Sequence, residues 1–276
     1  MPLHQDAAAS GLGRATEYPS RYDARLLFPI ARAGNRAGLG LGVELPFKGV
    51  DIWNAYELSW LDRRGKPVVA TAELSVPADT PCLVESKSLK LYLNSFNQER
   101  LAGAHEFIDT VERDLSTACG GPVSLKLSGA GDFAATRMGE LAGISIDDIE
   151  VEIDTYDYDP TLLTAGGTEC CECLRSDLLK SNCPVTGQPD WASVQICYSG
   201  PAMDRAALLR YIVSFRQHAG FHEHCVEMLF MDILARCAPR ELSIYARYTR
   251  RGGLDINPFR STCAARPPNN LRNARQ

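Results

Sequence analysis

The sequence lacks a long apolar run, since no stretch approaches the roughly 20 residues that a helix needs to span a bilayer. It also lacks a net positive charge: its 276 residues carry a net charge of −5, which gives no basic field that would favour nucleic acid. Residues 1–20 show no basic-then-apolar order of a secretory signal. They are rich in Ala, Gly and Ser, and we expect a disordered tail there. We therefore expect a cytoplasmic protein that contacts neither membrane nor nucleic acid.

Cysteines are present, but not in a pattern that indicates a disulfide framework or a zinc site. Ten of them are diluted over a long chain, so reduced thiols in a reducing compartment are the expectation. The densest group, at 170–173, contains adjacent thiols, which suit tetrahedral chelation poorly, and no second C-x-x-C or H-x₃-H pair follows. We expect no metal there and a surface segment instead; its role stays open.

The chain repeats itself. Residues 92–98 (Y-L-N-S-F-N-Q) resemble residues 211–217 (Y-I-V-S-F-R-Q), and Asp114-x₄-Cys119 matches Asp232-x₄-Cys237 in the same order. This pattern predicts two duplicated halves, 21–157 and 158–276, with a boundary where acidic residues and proline cluster at 156–160. The expected class is α+β, with antiparallel sheets and helices packed on one face. Periodicity predicts strands over 68–76, 123–127, 192–198 and 241–250, and helices over 106–115 and 223–237.

One segment combines a thiol and a carboxylate on a rigid stretch of backbone. Residues 181–191 read S-N-C-P-V-T-G-Q-P-D-W, and two prolines with a glycine predict a loop. Cys183 and Asp190 could supply a nucleophile and a proton source for covalent catalysis. The alternative is a small buried cysteine beside a turn aspartate.

Three further segments carry polar side chains of functional type. Residues 85–92 (E-S-K-S-L-K-L-Y) could hold phosphate near a helix start, or could be a solvated, charged helix start. Residues 220–224 (G-F-H-E-H) could bind a polar ligand edge or merely begin a helix; the two histidines are too close in sequence to share a helical face, so zinc is not expected. Residues 248–260 contain R-R-G-G-L-D-I-N-P-F-R, where glycines let backbone approach a ligand and arginines grip phosphate. The glycines of 38–42 do not match G-x-G-x-x-G, so no dinucleotide-binding Rossmann domain is predicted.

Together, these four motifs resemble those of the long form of NADPH-dependent 7-cyano-7-deazaguanine reductase, the nitrile reductase family of queuosine (tRNA modification) biosynthesis. The motifs occur in family order between about residues 38 and 260. The resemblance implies tandem tunnelling-fold domains and a homodimer, and leaves open which subunit completes each site. It also leaves open whether another cysteine forms a protective disulfide with Cys183.

The resemblance implies a role for each motif. Cys183 is the expected nucleophile, forming a thioimide with the nitrile carbon, and Asp190 the expected proton donor. The expected substrate contacts are Val84, Glu85, Ser86, Phe221, His222 and Glu223. The expected contacts with NADPH are Ser86, Lys87, Arg251 and Gly252. Two NADPH molecules would reduce the nitrile to the primary amine of 7-aminomethyl-7-deazaguanine.

Two other functions remain as alternatives from the residues. A cyclohydrolase-like hydrolase on the same fold would need zinc, for which no Cys/His ligand set can be assembled near Cys183. A non-catalytic purine- or pterin-binding module would keep Glu85 and Glu223 but would have no use for Cys183 together with Asp190.

Overall fold

The structure, a computed structural model, describes residues 18–263, 267 and 269–276. Most of the tail expected over 1–20 therefore lies outside the described residues. The described chain forms ten strands and five α-helices, joined by several short 3₁₀ turns. The strands are β1 Pro29–Ala31, β2 Lys48–Leu61, β3 Pro67–Pro77, β4 Cys82–Val84, β5 Ser124–Gly129, β6 Ile144–Ser145, β7 Ala165–Asn182, β8 Pro189–Met203, β9 Glu241–Tyr248 and β10 Leu254–Ser261. The helices are α1 Arg32–Gly38, α2 Ser86–Asn94, α3 Ala104–Cys119, α4 Arg205–Ser214 and α5 His222–Cys237.

The chain divides into two compact units. The first unit comprises Met1–Gly38, Asp51–Arg137 and Arg250–Asp255; the second comprises Leu39–Val50, Met138–Thr249 and Ile256–Gln276. The predicted boundary near residue 157 stays a prediction about the folding domains.

The two units are built from the same series of elements. In the first unit the hairpin β2–β3 is followed by α2, a 3₁₀ turn at Ser95–Gln98, α3 and the strand β5. In the second unit the hairpin β7–β8 is followed by α4, a 3₁₀ turn at Phe215–Gln217, α5 and the strand β9. This repetition agrees with the duplicated sequence segments.

The sheets are antiparallel, as expected, except at one short strand. Strand order is β5–β3–β2 in the first unit and β10–β9–β8–β7–β6 in the second. Only β6 pairs in parallel among the described pairs, against β7 at Leu174 and Arg175. Helix α3 packs on β4 and β5, and α5 packs on β7 and β9. The α+β class is confirmed.

Every strand and helix predicted by periodicity is present. Helix α3 presents the apolar face of Phe107, Val111 and Leu115 to the interior. It ends at Gly120, whose left-handed backbone (φ 72°) closes the last turn, as the G-G-P sequence predicts. Helix α1, which ends at Gly38, leads directly into the glycines of 38–42.

The cysteine-rich segment lies at the surface in a regular strand, and it is not fully reduced. Residues 170–173 lie inside β7, and Cys173 stands directly opposite Cys197 of β8. The two form a disulfide. The expectation of reduced thiols is therefore wrong for this pair, because the strand register brings the two side chains together. The other eight cysteines are thiols outside any disulfide: Cys82, Cys119, Cys170, Cys171, Cys183, Cys225, Cys237 and Cys263.

Candidate active site

The hairpin β7–β8 places Cys183 and Asp190 close to each other. The loop predicted over 181–191 is shorter than expected: β7 continues to Asn182 and β8 begins at Pro189, so only 183–188 form the turn. Asp190 pairs with Ser181, two residues before Cys183. The Cys183 amide donates to the Gln188 carbonyl (2.8 Å). Diagonal neighbours of this kind lie about 7–8 Å apart on one face of a sheet, so the hairpin sets the thiol and the carboxylate on the same side.

Asp190 has a histidine partner that helix α5 supplies. His222 is the first residue of α5, and its Nε2 lies 3.2 Å from Oδ2 of Asp190. The imidazole stacks on the ring of Tyr248, with centroids 3.8 Å apart and planes 6° from parallel. Because Tyr248 is fully buried at the end of β9, it gives the imidazole a fixed platform. The arrangement suits a carboxylate and an imidazole that exchange or share a proton.

Small polar groups lie beneath this pair. Burial raises the pKa of the Cys225 thiol to about 12, an effect that the neighbouring Ser181 and Tyr248 side chains oppose. Burial likewise raises the pKa of the Tyr248 phenol, and the Cys225 and Asp190 charges act in the same direction. Both groups are neutral at physiological pH, so the Cys225 thiol is not a nucleophile there.

The remaining residues predicted on this motif flank His222. Phe221 is the N-cap of α5 and makes no side-chain capping hydrogen bond. Glu223, in the first turn of α5, is buried with 2% of its surface exposed. Buried carboxylates are costly unless polar groups surround them, so this position indicates a built polar site. The structure thus assembles Cys183, Asp190, Phe221, His222 and Glu223 in the second unit.

Glu85 occupies a different kind of position, in the first unit. Helix α2 starts at Ser86, so the 85–92 motif contains the helix start and most of the helix itself. Glu85 is the N-cap: its two carboxylate oxygens accept from the amides of Lys87 (2.7 Å) and Ser88 (2.8 Å). Val84, the end of β4, is buried, and the Ser86 hydroxyl lies 3.3 Å from Glu85 Oε1. The first turn of α2 therefore carries Glu85, Ser86 and Lys87 together.

The predicted arginine–glycine pair forms a tight turn in the same unit. Arg251 and Leu254 exchange backbone hydrogen bonds of 2.8 and 3.3 Å around Gly252 and Gly253, whose φ angles are 60° and 81°. A Cβ on Gly252 would lie 3.0 Å from the Lys90 ammonium, and one on Gly253 would lie 2.4 Å from the Glu57 carboxyl carbon. Only glycine fits this turn. It lies beside α2, in a pocket whose lining includes Lys90 and Asn94.

Several residues of these two clusters could not be assigned a role from the sequence. Tyr248 and Lys90 were inside quoted motifs but received no role, and Ser181 stood two residues before the nucleophile. Cys225 lies three residues after His222, on the next turn of the same helix, which helical periodicity could have indicated. Glu57 carried no sequence signal, because its position depends on the pairing of β2 with distant segments.

The part of the chain that the structure describes contains neither a metal-binding cluster nor a membrane-spanning helix. Within residues 18–263, 267 and 269–276, no group of three His, Cys, Asp or Glu side chains has the arrangement of a metal site. None of the described helices is both long enough and apolar enough to cross a membrane.

Comparison with known proteins places these motifs in a family. Residues 18–127 match the family model for nitrile reductase, 7-cyano-7-deazaguanine-reductase N-term, and residues 189–267 match that for QueF-like protein. The chain is 62% identical to the NADPH-dependent 7-cyano-7-deazaguanine reductase of Bordetella parapertussis over 266 residues, covering 96% of this chain and 97% of that protein. It is 60% identical to the protein of the same name from Bordetella avium, over 100% of both chains.

Other similarities extend the range of relatives. The NADPH-dependent 7-cyano-7-deazaguanine reductase of Burkholderia multivorans is 58% identical over 97% of this chain and 98% of its own length. Among solved structures, an archaeosine synthase QueF-Like in the apo form covers 37% of this chain and 99% of its own, at 16% identity and a TM-score of 0.31. A similarity of that size carries no argument.

Proposed function

The chain belongs to the family of NADPH-dependent 7-cyano-7-deazaguanine reductases, and from that premise we propose that it reduces the nitrile of 7-cyano-7-deazaguanine to a primary amine. The observation that carries the proposal is the hairpin turn with Cys183 next to the buried Asp190–His222 pair. The product, 7-aminomethyl-7-deazaguanine, is a precursor for queuosine modification of tRNA.

We propose that Cys183 is the nucleophile. Its thiolate adds to the nitrile carbon, forming a carbon–sulfur bond while one C≡N π pair moves to nitrogen, and Asp190 delivers the proton that nitrogen takes up. The product of this step is a covalent thioimide. His222, 3.2 Å from Asp190, holds the carboxyl group in place and can return its proton.

We propose that two buried acidic residues recognise the heterocycle. The guanine-like edge offers N–H donors, which suit carboxylate acceptors such as Glu223 and Glu85. Glu85 already accepts two helix amides, which fixes its orientation while its carboxylate oxygens keep further lone pairs. Phe221 would cover the face of the heterocycle, and Val84 and Ser86 adjoin Glu85 in sequence. The role of Glu85 is proposed from its surroundings in the first unit, and that of Glu223 from its surroundings in the second.

The residues of the first unit fit the cofactor. The Gly252–Gly253 turn leaves backbone bare of side chains next to Lys90, and Arg251 belongs to the same turn. Ser86 and Lys87 lie at the start of α2, where helix amides and positive charge favour phosphate. We propose that Ser86, Lys87, Arg251 and Gly252 hold NADPH. When bound, NADPH supplies hydride, and two equivalents carry the nitrile to the amine.

We further propose, from the family resemblance, that the chain works as a homodimer in the cytoplasm and binds neither nucleic acid nor membrane. Light scattering coupled to size-exclusion chromatography measures the first part directly. A mass of about one chain (30.2 kDa) at micromolar concentration would contradict the dimer without touching the assignment of Cys183.

The decisive experiment is intact-protein mass spectrometry after mixing with 7-cyano-7-deazaguanine and no NADPH. We expect a mass gain equal to the ligand, absent in Cys183→Ala and retained in Cys263→Ala, whose thiol is exposed. No adduct on a folded protein with its free thiols reduced would contradict the covalent mechanism. Weight would then move to the non-catalytic binding module.

A further inference from the structure

Tyr248, on whose ring His222 stacks, accepts a backbone hydrogen bond from segment 269–276, which no part of the proposed mechanism uses. The phenol ring stacks on His222, and Tyr248 pairs with Ala192 of β8, two residues after Asp190. The backbone carbonyl of Tyr248 does not end in solvent: it accepts a hydrogen bond from Nε2 of Gln276 (3.0 Å). The position of the platform therefore depends on Gln276 as well as on the sheet.

The side-chain amide of Gln276 is buried and its donors and acceptor are engaged by different strands. Only 5% of the residue is exposed. Its Oε1 accepts from Nε of Arg247 (2.7 Å) and from the amide of Asn273 (3.2 Å). Its Nε2 donates to Oδ1 of Asn257 (2.8 Å) as well as to Tyr248. A single amide thus joins β9, β10 and its own segment, 269–276.

The same segment is anchored independently at a second place. Arg275 donates to the Asp177 carbonyl (2.9 Å) and to the Ser193 hydroxyl (3.0 Å). The Arg272 guanidinium also donates to the Gln276 carbonyl (2.6 Å). Because of these contacts, segment 269–276 can stay docked when the Gln276 amide alone is changed. The link to Tyr248 can therefore be tested separately from the docking of the segment.

We propose that Gln276 is a positioning residue of the active site: through the Tyr248 carbonyl it sets the plane on which His222 stacks, and through His222 the orientation of Asp190. The inference rests on the proposed function, since it deepens the role of the Asp190–His222 pair. Its physical basis is that a catalytic group displaced by a fraction of an ångström loses rate, although the displacing residue touches no substrate.

The variant that isolates this role is Gln276→Glu. A carboxylate keeps an acceptor for Arg247 and so preserves the anchor, but it has no N–H to donate to Tyr248 or Asn257. Gln276→Ala removes both sides of the amide and is the more severe change. Arg275→Ala is the matched control, because it weakens the same segment at Asp177 and Ser193 without reaching Tyr248.

The experiment measures the rate of thioimide formation against pH for the folded wild type and the three variants. We expect Gln276→Glu and Gln276→Ala to slow adduct formation by between about tenfold and 100-fold, with a displaced pH profile. Substrate affinity should change less than the rate does, and Arg275→Ala should match wild type in both. Proton NMR gives a readout without chemistry: the ring protons of His222, shifted by the Tyr248 ring current, should move in Gln276→Glu and not in Arg275→Ala.

The outcomes separate the two proposals. If wild type forms no adduct, the proposed function fails and this inference falls with it. If wild type forms the adduct, and both Gln276 variants lower the melting temperature but keep the wild-type rate, pH profile and His222 signals, Gln276 is only structural and the inference is wrong. Should Gln276→Ala not fold, Gln276→Glu alone decides.

Discussion

The hairpin turn of the first unit begins with Asp62, and that of the second begins with Cys183. Both turns close in the same way: the Asp62 amide donates to the Lys66 carbonyl (2.9 Å) and the Cys183 amide to the Gln188 carbonyl (2.8 Å). Each preceding strand residue, Leu61 or Asn182, also bridges to the segment that leads into the long helix. The backbone places a side chain at the same point twice, but only the second unit has a thiol there.

The long helices α3 and α5 differ at corresponding positions. Each has 16 residues, so Phe107 of α3 corresponds to Cys225 of α5. In the first unit Phe107 stacks on Trp60 with ring centroids 4.9 Å apart. In the second, Ser181 stands where Trp60 does, two residues before the first residue of the turn, and it lies close enough to Cys225 to lower the pKa of that thiol. An aromatic pair in one unit is thus replaced by two small polar groups in the other, which makes room for Tyr248 and His222.

The supporting contacts, by contrast, are the same in both units. Tyr22 and Tyr92 both donate to Asp114 (2.5 and 2.7 Å). In the second unit Tyr158 (2.8 Å) and Tyr211 both donate to Asp232. The fold therefore depends on contacts that both units keep. The proposed chemistry depends on a few positions at one end of a hairpin and in the first turns of one helix.

The largest effect we expect is on Cys183. Cys183→Ala should lower nitrile reduction by at least roughly 10³-fold, because losing a covalent nucleophile removes the route rather than slowing it. Its counterpart Asp62→Asn, which keeps an acceptor for the Arg64 and Lys66 amides, should retain the wild-type rate. Steady-state oxidation of NADPH measures both. Equal losses in the two variants would mean that the turns matter only as structure.

Asp190→Asn should give the next largest effect. Removing a proton donor costs typically about 10²–10⁴-fold, and the amide keeps the shape of the group next to His222. Asp177→Asn is a suitable control, since Asp177 lies in the same hairpin but accepts from Ser193 and Arg275. Both kcat and the rate of adduct formation should fall for Asp190→Asn. A wild-type rate would remove Asp190 from the chemistry.

Glu223→Ala should act on binding. A buried heterocycle N–H left without an acceptor costs about 1–3 kcal/mol, so calorimetry should show weaker affinity for 7-cyano-7-deazaguanine. The corresponding residue of α3, His105, is the matched control, and His105→Ala should leave affinity unchanged. Unchanged affinity in Glu223→Ala would exclude it as a substrate contact.

Whether a contact could be predicted from the sequence depends on how far apart its partners lie along the chain. Cys183 and Asp190 could be paired in advance because a prolyl and glycyl turn joins them locally. The N-cap role of Glu85 was missed, because the composition of 85–92 indicated a helix start without fixing the first residue of α2. The Cys173–Cys197 disulfide depends on the register of two long strands, which no local pattern states.

Long-range contacts account for the other differences. Tyr248 meets His222 only after β9 has paired with β8, so neither residue's sequence neighbours reveal the stack. The N-terminal part of β7, with its two glycines and three cysteines, has weak strand propensity. It is a strand because β8 offers it a partner along residues 165–182.

The shared contacts give a prediction about stability rather than rate. Asp114→Ala and Asp232→Ala each leave two phenol donors without their carboxylate, and each should lower the free energy of unfolding by about 1.5–3 kcal/mol. Adduct formation by the folded fraction should be unchanged in both. Urea titrations measure the stability. A large loss in only one variant would show that the two units do not depend equally on this contact.

The smallest expected effect is on how the free energy of unfolding falls at alkaline pH, to which the second unit contributes through Cys225. Cys225, with a pKa raised from 9.0 to about 12, stays neutral in the folded state after an unfolded thiol has ionised. A raised folded pKa contributes stability that is complete below the unfolded value and is lost as pH rises, here between about 9 and about 12. Phe107 at the corresponding position cannot titrate.

Cys225→Ala should therefore flatten the fall of unfolding free energy between pH 9 and 10.5, and Cys263→Ala should not. The slope will not vanish, because burial also raises the pKa of Tyr248 and that of Cys237. An unaltered slope in Cys225→Ala would mean that burial does not hold this thiol neutral.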